Sequence, residues 1–481
     1  MKILHITPEL APWSKAGGLG DAAAGLVKAI AAEGHDVRIV TPLYGSVPDR
    51  EKMTTLIEAL KVGVSSDAAK ATCRVLQLNV APRCEAWFVE HAEYYGAREV
   101  YPAREDTAER AAYFGRAALD ACLATGWIPD VIHCHDWTTG LVPVLLNTHF
   151  KKSALGRAAS VLTIHNLQHQ GLLSHRILAF LKLPESLFTA DQLECFGGVN
   201  FLKGGILHAT RVTTVSPTYA EEIQTAEHGF GLDDVVRRRS QDLDGILNGV
   251  DRDEWDPATD PHIAKKFSVK DVKGKADCKL DLQKQLNLKL DPTIPLIGVV
   301  SRLWDQKGLD LAIGVLPKFL RTGKIQFVLL GSGDAALENG FKKIAEDFPH
   351  AAAVRIGYDN GLSHRIEAGA DFFLMPSRFE PCGLNQLYSM TYGTIPIVRA
   401  TGGLADTVTP WSAGSKSGTG IVFNHADTPA IEWAISQAVE LFHQPKEFSA
   451  VKINGMKTSF TWKDAADLYV KVYKKSLNSA Q

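Results

Sequence analysis

Arg302 and Lys307 follow an apolar run, Pro295 to Val300, within the stretch Ser301-Arg302-Leu303-Trp304-Asp305-Gln306-Lys307-Gly308. A planar guanidinium matches two phosphate oxygens, and an ammonium on a flexible stem acts as a mobile point charge, so the pair suits an anion. It also suits surface ion pairs with Asp305 or Asp310. A second stretch, Pro376-Ser377-Arg378-Phe379-Glu380-Pro381-Cys382-Gly383-Leu384, sets a carboxylate at a sharp turn, and a third, Ala400-Thr401-Gly402-Gly403-Leu404, is a glycine turn after another apolar run. Both read as strand ends that open helices. Their backbone N–H groups and positive dipole ends would then face the same side as Glu380, which makes a place for an anion beside a hydroxyl-rich group. Each turn alone also fits an ordinary strand-to-helix connection.

Near the N-terminus, Lys15-Ala16-Gly17-Gly18-Leu19-Gly20-Asp21 offers another cation and paired glycines. Lys15 could meet a negative charge, and the N–H groups of Gly17 and Gly18 could meet the same charge or a sugar hydroxyl. Neither a P-loop nor a dinucleotide fingerprint stands there. In Val131-Ile132-His133-Cys134-His135-Asp136-Trp137 the two histidines share one strand face, which invites a metal. No companion ligands follow, so structural or substrate-contact roles are preferred and no metal is assigned. Asp136 and Trp137 fall past the strand end and suit a carbohydrate, the carboxylate for hydroxyls and the ring for the apolar sugar face. His165, in Leu162-Thr163-Ile164-His165-Asn166-Leu167, stands at a polar strand tip, where a merely satisfied histidine is equally at home.

The elements that must position these groups alternate strand, loop and helix. Strand Ile3 to Thr7 precedes the lysine loop, a helix with Ala22, Leu26 and Ile30 on one stripe, and strand Val37 to Thr41; later strands end at His133 to His135, at Ile164 and at Val215. The second half repeats the pattern with strands Pro295 to Val300, Ile325 to Leu330, Ala353 to Gly357, Phe372 to Met375 and Ile395 to Val398. Such alternation predicts an α/β protein with doubly wound parallel sheets. At 481 residues the chain exceeds one core. We divide it into residues 1–249, 250–461 and a C-terminal helix, 462–481, crossing back to the first domain, with the polar run Asp244 to Asp251 as the hinge. The D-x-D triplets Asp242 to Asp244 and Asp251 to Asp253 read as accidents of a polar linker. Two nucleotide-fold domains facing each other across that hinge would enclose a cleft.

A formal net charge of −2 supplies no field to gather nucleic acid or anionic membrane. Arg237-Arg238-Arg239 reads as a solvated helix face. Seven cysteines without a C-x-x-C pair fit reduced thiols. With no cleavable signal or spanning run apparent, the expectation is a cytoplasmic enzyme. Gly331-Ser332-Gly333-Asp334-Ala335-Ala336 matches a relaxed dinucleotide pattern but follows the second strand of its domain, so an NAD-dependent oxidoreductase is a rival reading.

Taken together, Lys15-Ala16-Gly17-Gly18-Leu19, Ile164-His165-Asn166, Asn200-Phe201-Leu202-Lys203-Gly204-Gly205, Ser301 to Gly308, Pro376 to Leu384 and Thr401-Gly402-Gly403-Leu404-Ala405-Asp406 resemble the bacterial glycogen synthases and plant starch synthases. The resemblance runs from the first strand to Trp462. It implies a GT-B glycosyltransferase that moves glucose from ADP-glucose to the non-reducing end of an α-1,4-glucan, glycogen or a malto-oligosaccharide, with retention and with no essential metal or other cofactor. By resemblance, Lys15, Arg302 and Lys307 hold the diphosphate, and the turn Thr401, Gly402, Gly403 to Leu404 gives it backbone donors. Glu380 with Cys382, Gly383 and Leu384 surrounds the glucosyl group, and His165, Asn166, Asp136 and Asn248 line the sugar side. Gly17, Gly18, Asp21 and Trp137 join the substrate-binding set, Tyr358 is expected near the adenine and Tyr95 near the substrate. Two departures stand out: Ala16 replaces a threonine, and Asn385 replaces a threonine at a helix start, where it could serve as a side-chain cap. UDP-glucose as donor and a non-catalytic glucan-binding protein remain alternatives, and oligomeric state is not legible.

Overall fold

In the computed structural model, which describes every residue except Arg98, Ala103, Ala480 and Gln481, the chain divides into two compact units. One comprises Met1–Gly249 with Thr461–Gln481, the other Val250–Phe460.

The first unit is built on β1 (Lys2–Ile6), β2 (Asp36–Pro42), β3 (Thr54–Lys61), β4 (Thr72–Ala81), β5 (Cys84–Glu90), β6 (Val131–His135) and β7 (Ala159–Ile164). A small antiparallel sheet of β8 (Leu172–Leu173), β9 (Glu194–Cys195) and β10 (Gly198–Asn200) stands apart, and β11 (Arg211–Thr214) and β12 (Leu243–Gly245) complete the set. The large sheet runs β12-β11-β7-β6-β1-β2-β5-β4-β3. It is parallel from β12 to β5 and antiparallel at β4 and β3. Helices cover both faces of the central strands, so those strands read as unbroken apolar runs, as in β1, where Ile3, Leu4 and Ile6 are buried. The chain leaves β1 towards β2 and returns to β1's other side with β6. Loops after β1 and β6 therefore flank the point where the order reverses, the place where such sheets bind ligands.

Helix Trp462–Ser479 closes this unit by packing on helix Gly18–Ala32. Gly25 makes the contact possible: a Cβ there would lie 2.1 Å from Trp462 Nε1. Tyr473, further along the same helix, reaches the buried ring of His133. The last two residues of the expected 462–481 segment lie outside the described residues.

The second unit has one parallel sheet of β13 (Leu296–Leu303), β14 (Gln326–Gly333), β15 (Ala352–Ile356), β16 (Phe372–Met375), β17 (Ile395–Arg399) and β18 (Ile421–Phe423), ordered β15-β14-β13-β16-β17-β18. Its reversal falls between β13 and β16. Arg302 lies near the end of β13, and Glu380 stands in the turn that follows β16.

Several expectations need correction. The reading of a purely parallel first sheet missed β3, β4 and the antiparallel edge, because strands with one exposed face show neither long apolar runs nor helical flanks. The first two residues of the supposed hinge, Asp244 and Gly245, belong to a strand, Leu243–Gly245, paired with β11. Arg239 is not on a solvated face: its guanidinium donates to the carbonyls of Ile206, Leu207, Ala209 and Thr210. β13 and β14 also run longer than expected, since Ser301, Arg302 and Leu303 pair with Gly331, Ser332 and Gly333. Arg302 therefore sits on a strand and not in a loop.

Candidate active site

In the second unit, β16 ends at Met375 and the chain turns from Pro376 to bring Glu380 against the strand-to-helix turn after β13. Lys307 Nζ donates to both Glu380 oxygens, at 2.9 and 2.7 Å, and Ser377 Oγ donates to the second at 2.9 Å. Glu380 is only 5% exposed, so both charges sit where water screens them little. Asp310 is occupied by a two-pronged bond from Arg378, which also pairs with Asp305. The surface ion pairs offered as an alternative for Arg302 and Lys307 are thus taken by another residue. Arg302 is exposed and makes no ion pair among the described residues. A paired ammonium and an open guanidinium at one strand end leave capacity for an anion.

The glycine turn after β17 is pressed onto this one. Gly402 has φ 44°, and a Cβ on it would lie 2.0 Å from the Glu380 carbonyl oxygen. Gly403 donates its N–H to that carbonyl at 3.0 Å, so this donor is used inside the protein. Thr401 and Cys382 are buried, and Gly383, in the left-handed region at φ 73°, lets the chain turn into helix Asn385–Thr391 beside the half-buried Leu384. Asn385 is no cap: its amide donates to the Val300 carbonyl at 3.1 Å and ties that helix to β13. Tyr358, 77% exposed, stands after β15, its hydroxyl 3.3 Å from Asn360.

The pattern behind the oxidoreductase reading has no room for a pyrophosphate. Gly331 and Gly333 belong to β14, and the Asp334 carboxylate caps the following helix by accepting from the N–H groups of Ala336 and Leu337. A resident carboxylate occupies the donors a dinucleotide needs.

In the first unit, the lengthened loop after β1 folds around Glu9, a residue the sequence reading passed over. Its carboxylate accepts from the N–H groups of Ala16 and Gly17, at 2.7 and 2.9 Å, and from the Tyr101 hydroxyl at 2.9 Å. Lys15 pairs with Asp21 at 2.8 Å. Gly18 opens the helix Gly18–Ala32 directly after this loop. The signal for Glu9 was present, a carboxylate ahead of a glycine loop, but nothing in one dimension shows which donors it meets.

Asp136 follows β6 at φ 58° and accepts from the backbone N–H of His165 at 2.6 Å and of Asn166 at 3.4 Å. Burial pushes its carboxyl up to about 7, partly offset by those bonds and reinforced by Glu9. Ends of β6 and β7 are thereby locked together. Trp137 is half-buried, its ring against Gly171, and Asn248 is buried just after β12. Tyr95 is placed elsewhere: 2% exposed, it donates its hydroxyl to the Arg110 carbonyl and packs on Tyr44, so it offers a substrate no surface here. His133 and His135 lie with His5 in one buried cluster, whose ligand atoms fall within 4.8 Å of one another. His133 bonds Tyr473 and Thr163 hydroxyls, while His135 bonds His5 and His165.

Comparison with known proteins fits this arrangement. Residues 2–238 match the starch synthase catalytic domain, and residues 282–451 match glycosyl transferases group 1. A glycogen synthase of Anaeromyxobacter sp. (strain Fw109-5) is 45% identical over 480 residues, 98% of this chain and 99% of that protein. One from Koribacter versatilis (strain Ellin345) is 43% identical, covering 99% of this chain and 98% of its own. Among solved structures, the catalytic domain of starch synthase IV from Arabidopsis thaliana, bound to ADP and acarbose, superposes with a TM-score of 0.93 at 34% identity, covering 99% of each chain. With matches that run the full length at such identity, two doubly wound units, and a cation–carboxylate couple at a sheet reversal, this chain belongs to the glycogen and starch synthase family of GT-B glycosyltransferases.

Proposed function

We propose that the protein elongates glycogen or a malto-oligosaccharide, transferring glucose from ADP-glucose to the non-reducing end of an α-1,4-glucan with retention of configuration and no essential metal. The observation that carries this reading is the Lys307–Glu380 couple beside the open Arg302 at the β13/β16 reversal. When a diphosphate arrives, Lys307 can exchange one carboxylate oxygen for a phosphate oxygen and share the anion with Arg302. Glu380 is then released towards the sugar. The bond from glucosyl C1 to the phosphate oxygen breaks, the acceptor hydroxyl oxygen bonds to C1, and the hydroxyl proton passes to the departing phosphate. Fixed cations that meet the charge developing on the leaving group supply the stabilisation a general acid or a metal would otherwise provide. Among the described residues Glu380 is partnered by Lys307 and Ser377 and by no second carboxylate, which supports attack on the face from which the phosphate leaves. Relatives named glycogen synthase, and the starch synthase bound to ADP and acarbose, support the donor and acceptor classes.

A cytoplasmic setting is part of the same proposal. All seven cysteines are free, and no helix among the described residues is long and apolar enough to cross a membrane. The test is incorporation of labelled glucose into glycogen from ADP-glucose and from UDP-glucose, each with and without a chelator. Transfer from ADP-glucose that a chelator leaves intact is the expected result; transfer from UDP-glucose alone would reverse the donor assignment, and loss on chelation would require a metal. A non-catalytic glucan binder would transfer nothing.

A further inference from the structure

Three histidines of the first unit, on β1, on β6 and just after β7, form a line across neighbouring strands of the sheet. His5 Nδ1 lies 3.1 Å from His135 Nε2, and His135 Nδ1 lies 3.0 Å from His165 Nε2. His5 and His135 are buried, while His165 is half-buried at the end of β7, beside Asp136. Burial lowers His5 and His165 to about 3 and His135 well below its usual value. Each ring is therefore neutral near pH 7 and carries a single N–H. His135, in the middle, must donate to one neighbour and accept from the other, so the line has one of two senses.

In the first sense His5 Nδ1–H donates to His135, His135 Nδ1–H donates to His165, and the outer Nδ1 of His165 carries its proton. In the second every bond reverses and His5 Nε2 becomes a donor. That atom is buried without a partner. Buried N–H groups lacking an acceptor are rare in folded proteins, and the first sense leaves only a lone pair there. His133 does not compete for the line. Its rings stack 4.3 Å from His135, but its nitrogens bond Tyr473 at 2.8 Å and Thr163 at 2.5 Å, and Thr163 continues to Thr213 at 2.6 Å.

We propose that His5 and His135 are positioning residues that set the tautomer of His165, so that His165 presents Nδ1–H as a hydrogen-bond donor to an oxygen of the bound sugar. The part that concerns the sugar rests on the reaction proposed above; the tautomer does not.

The test is a 15N–1H correlation spectrum of the full chain labelled in its histidine rings, at neutral pH and without donor or glucan, with His165 assigned through His165→Asn. Expected are a protonated Nδ1 and a bare Nε2 on His165, and a bare Nε2 on His5. A protonated Nε2 on His165 overturns the proposal. So does one tightly held zinc ion per chain after dialysis, because a metal in the cluster would replace the His5–His135 bond. His5→Leu should give His165 a mixture of tautomers and lower kcat/KM by about 3- to 10-fold, the worth of one neutral hydrogen bond, whereas His5→Asn, whose amide can replace Nδ1–H, should restore both. An unchanged His165 spectrum in a folded His5→Leu protein also refutes the line, and if that variant does not fold the parent spectrum decides. Since the spectrum needs no substrate, its failure strikes the relay alone, while absent glucose transfer with the expected spectrum strikes the reaction alone.

Discussion

Replacing Lys307 with alanine separates structure from chemistry at one residue. Its ammonium touches both Glu380 oxygens, and the two side chains keep 20% and 6% of their surface in water. Removing one partner of a buried pair costs ~3–5 kcal/mol, because the other charge is left uncompensated. Partial exposure of Lys307 and the surviving Ser377 bond place this case at the lower end, about 3 kcal/mol. For a unit of this size that corresponds to a fall in Tm of roughly 6–12 °C. Turnover should fall on the order of 10²–10³, the scale of losing one preorganised donor. Because a destabilised protein also loses activity, the decisive comparison is the double variant Lys307→Ala/Glu380→Gln, in which no buried charge is left alone. Thermal unfolding should recover about 2 kcal/mol as coupling between the two sites, while labelled-glucose incorporation stays low. Near-normal turnover of Lys307→Ala, or strictly additive stability effects, would show that Lys307 has neither role.

Arg302→Ala should behave oppositely in one respect. With no ion pair to lose among the described residues, its Tm stays within about 1 °C of the parent, whereas kcat falls roughly 10²-fold; a marked loss of stability would show that the guanidinium has a structural partner. Asp136, whose carboxyl is raised to about 7, should be protonated progressively as pH falls through that value, so KM for glucan should rise below neutrality, and Asp136→Asn should abolish this pH dependence. A parent KM that is flat from pH 6 to 8 would contradict it. Glu367 is fully buried and raised to about 8, so between about 4.5 and 8 the folded protein holds a proton that the unfolded chain has released. Its contribution to stability therefore declines as pH rises through that window, and Glu367→Gln, which keeps the Ser389 bond, should gain Tm over the parent most strongly near pH 8. An equal Tm difference at pH 5 and pH 8 would disprove that titration.

What the amino-acid order determined by itself is local. Short apolar runs such as Phe372 to Met375, bounded by turn residues, read as strands covered on both faces, and glycine and proline at Pro381 to Gly383 and at Gly402 favour turns there. The identities of Arg302, Lys307, Glu380 and Lys15 also announced charge that needs a partner. Partners are what the sequence could not express. Lys307 bonds Glu380, Asp310 is held by Arg378, and Glu9 takes the N–H groups of Ala16 and Gly17, all contacts between segments whose separation along the chain says nothing about distance in space. The same holds for Tyr95, which the resemblance put near the substrate and which is buried, and for Arg239, which satisfies four carbonyls at the end of another helix. Strand register decided the rest: pairing of Ser301 to Leu303 with Gly331 to Gly333 carries Arg302 onto the sheet and removes a phosphate turn that the glycines alone had suggested. Backbone propensity acts over a few residues and is written in order, while hydrogen-bond satisfaction and desolvation are settled only when distant segments meet.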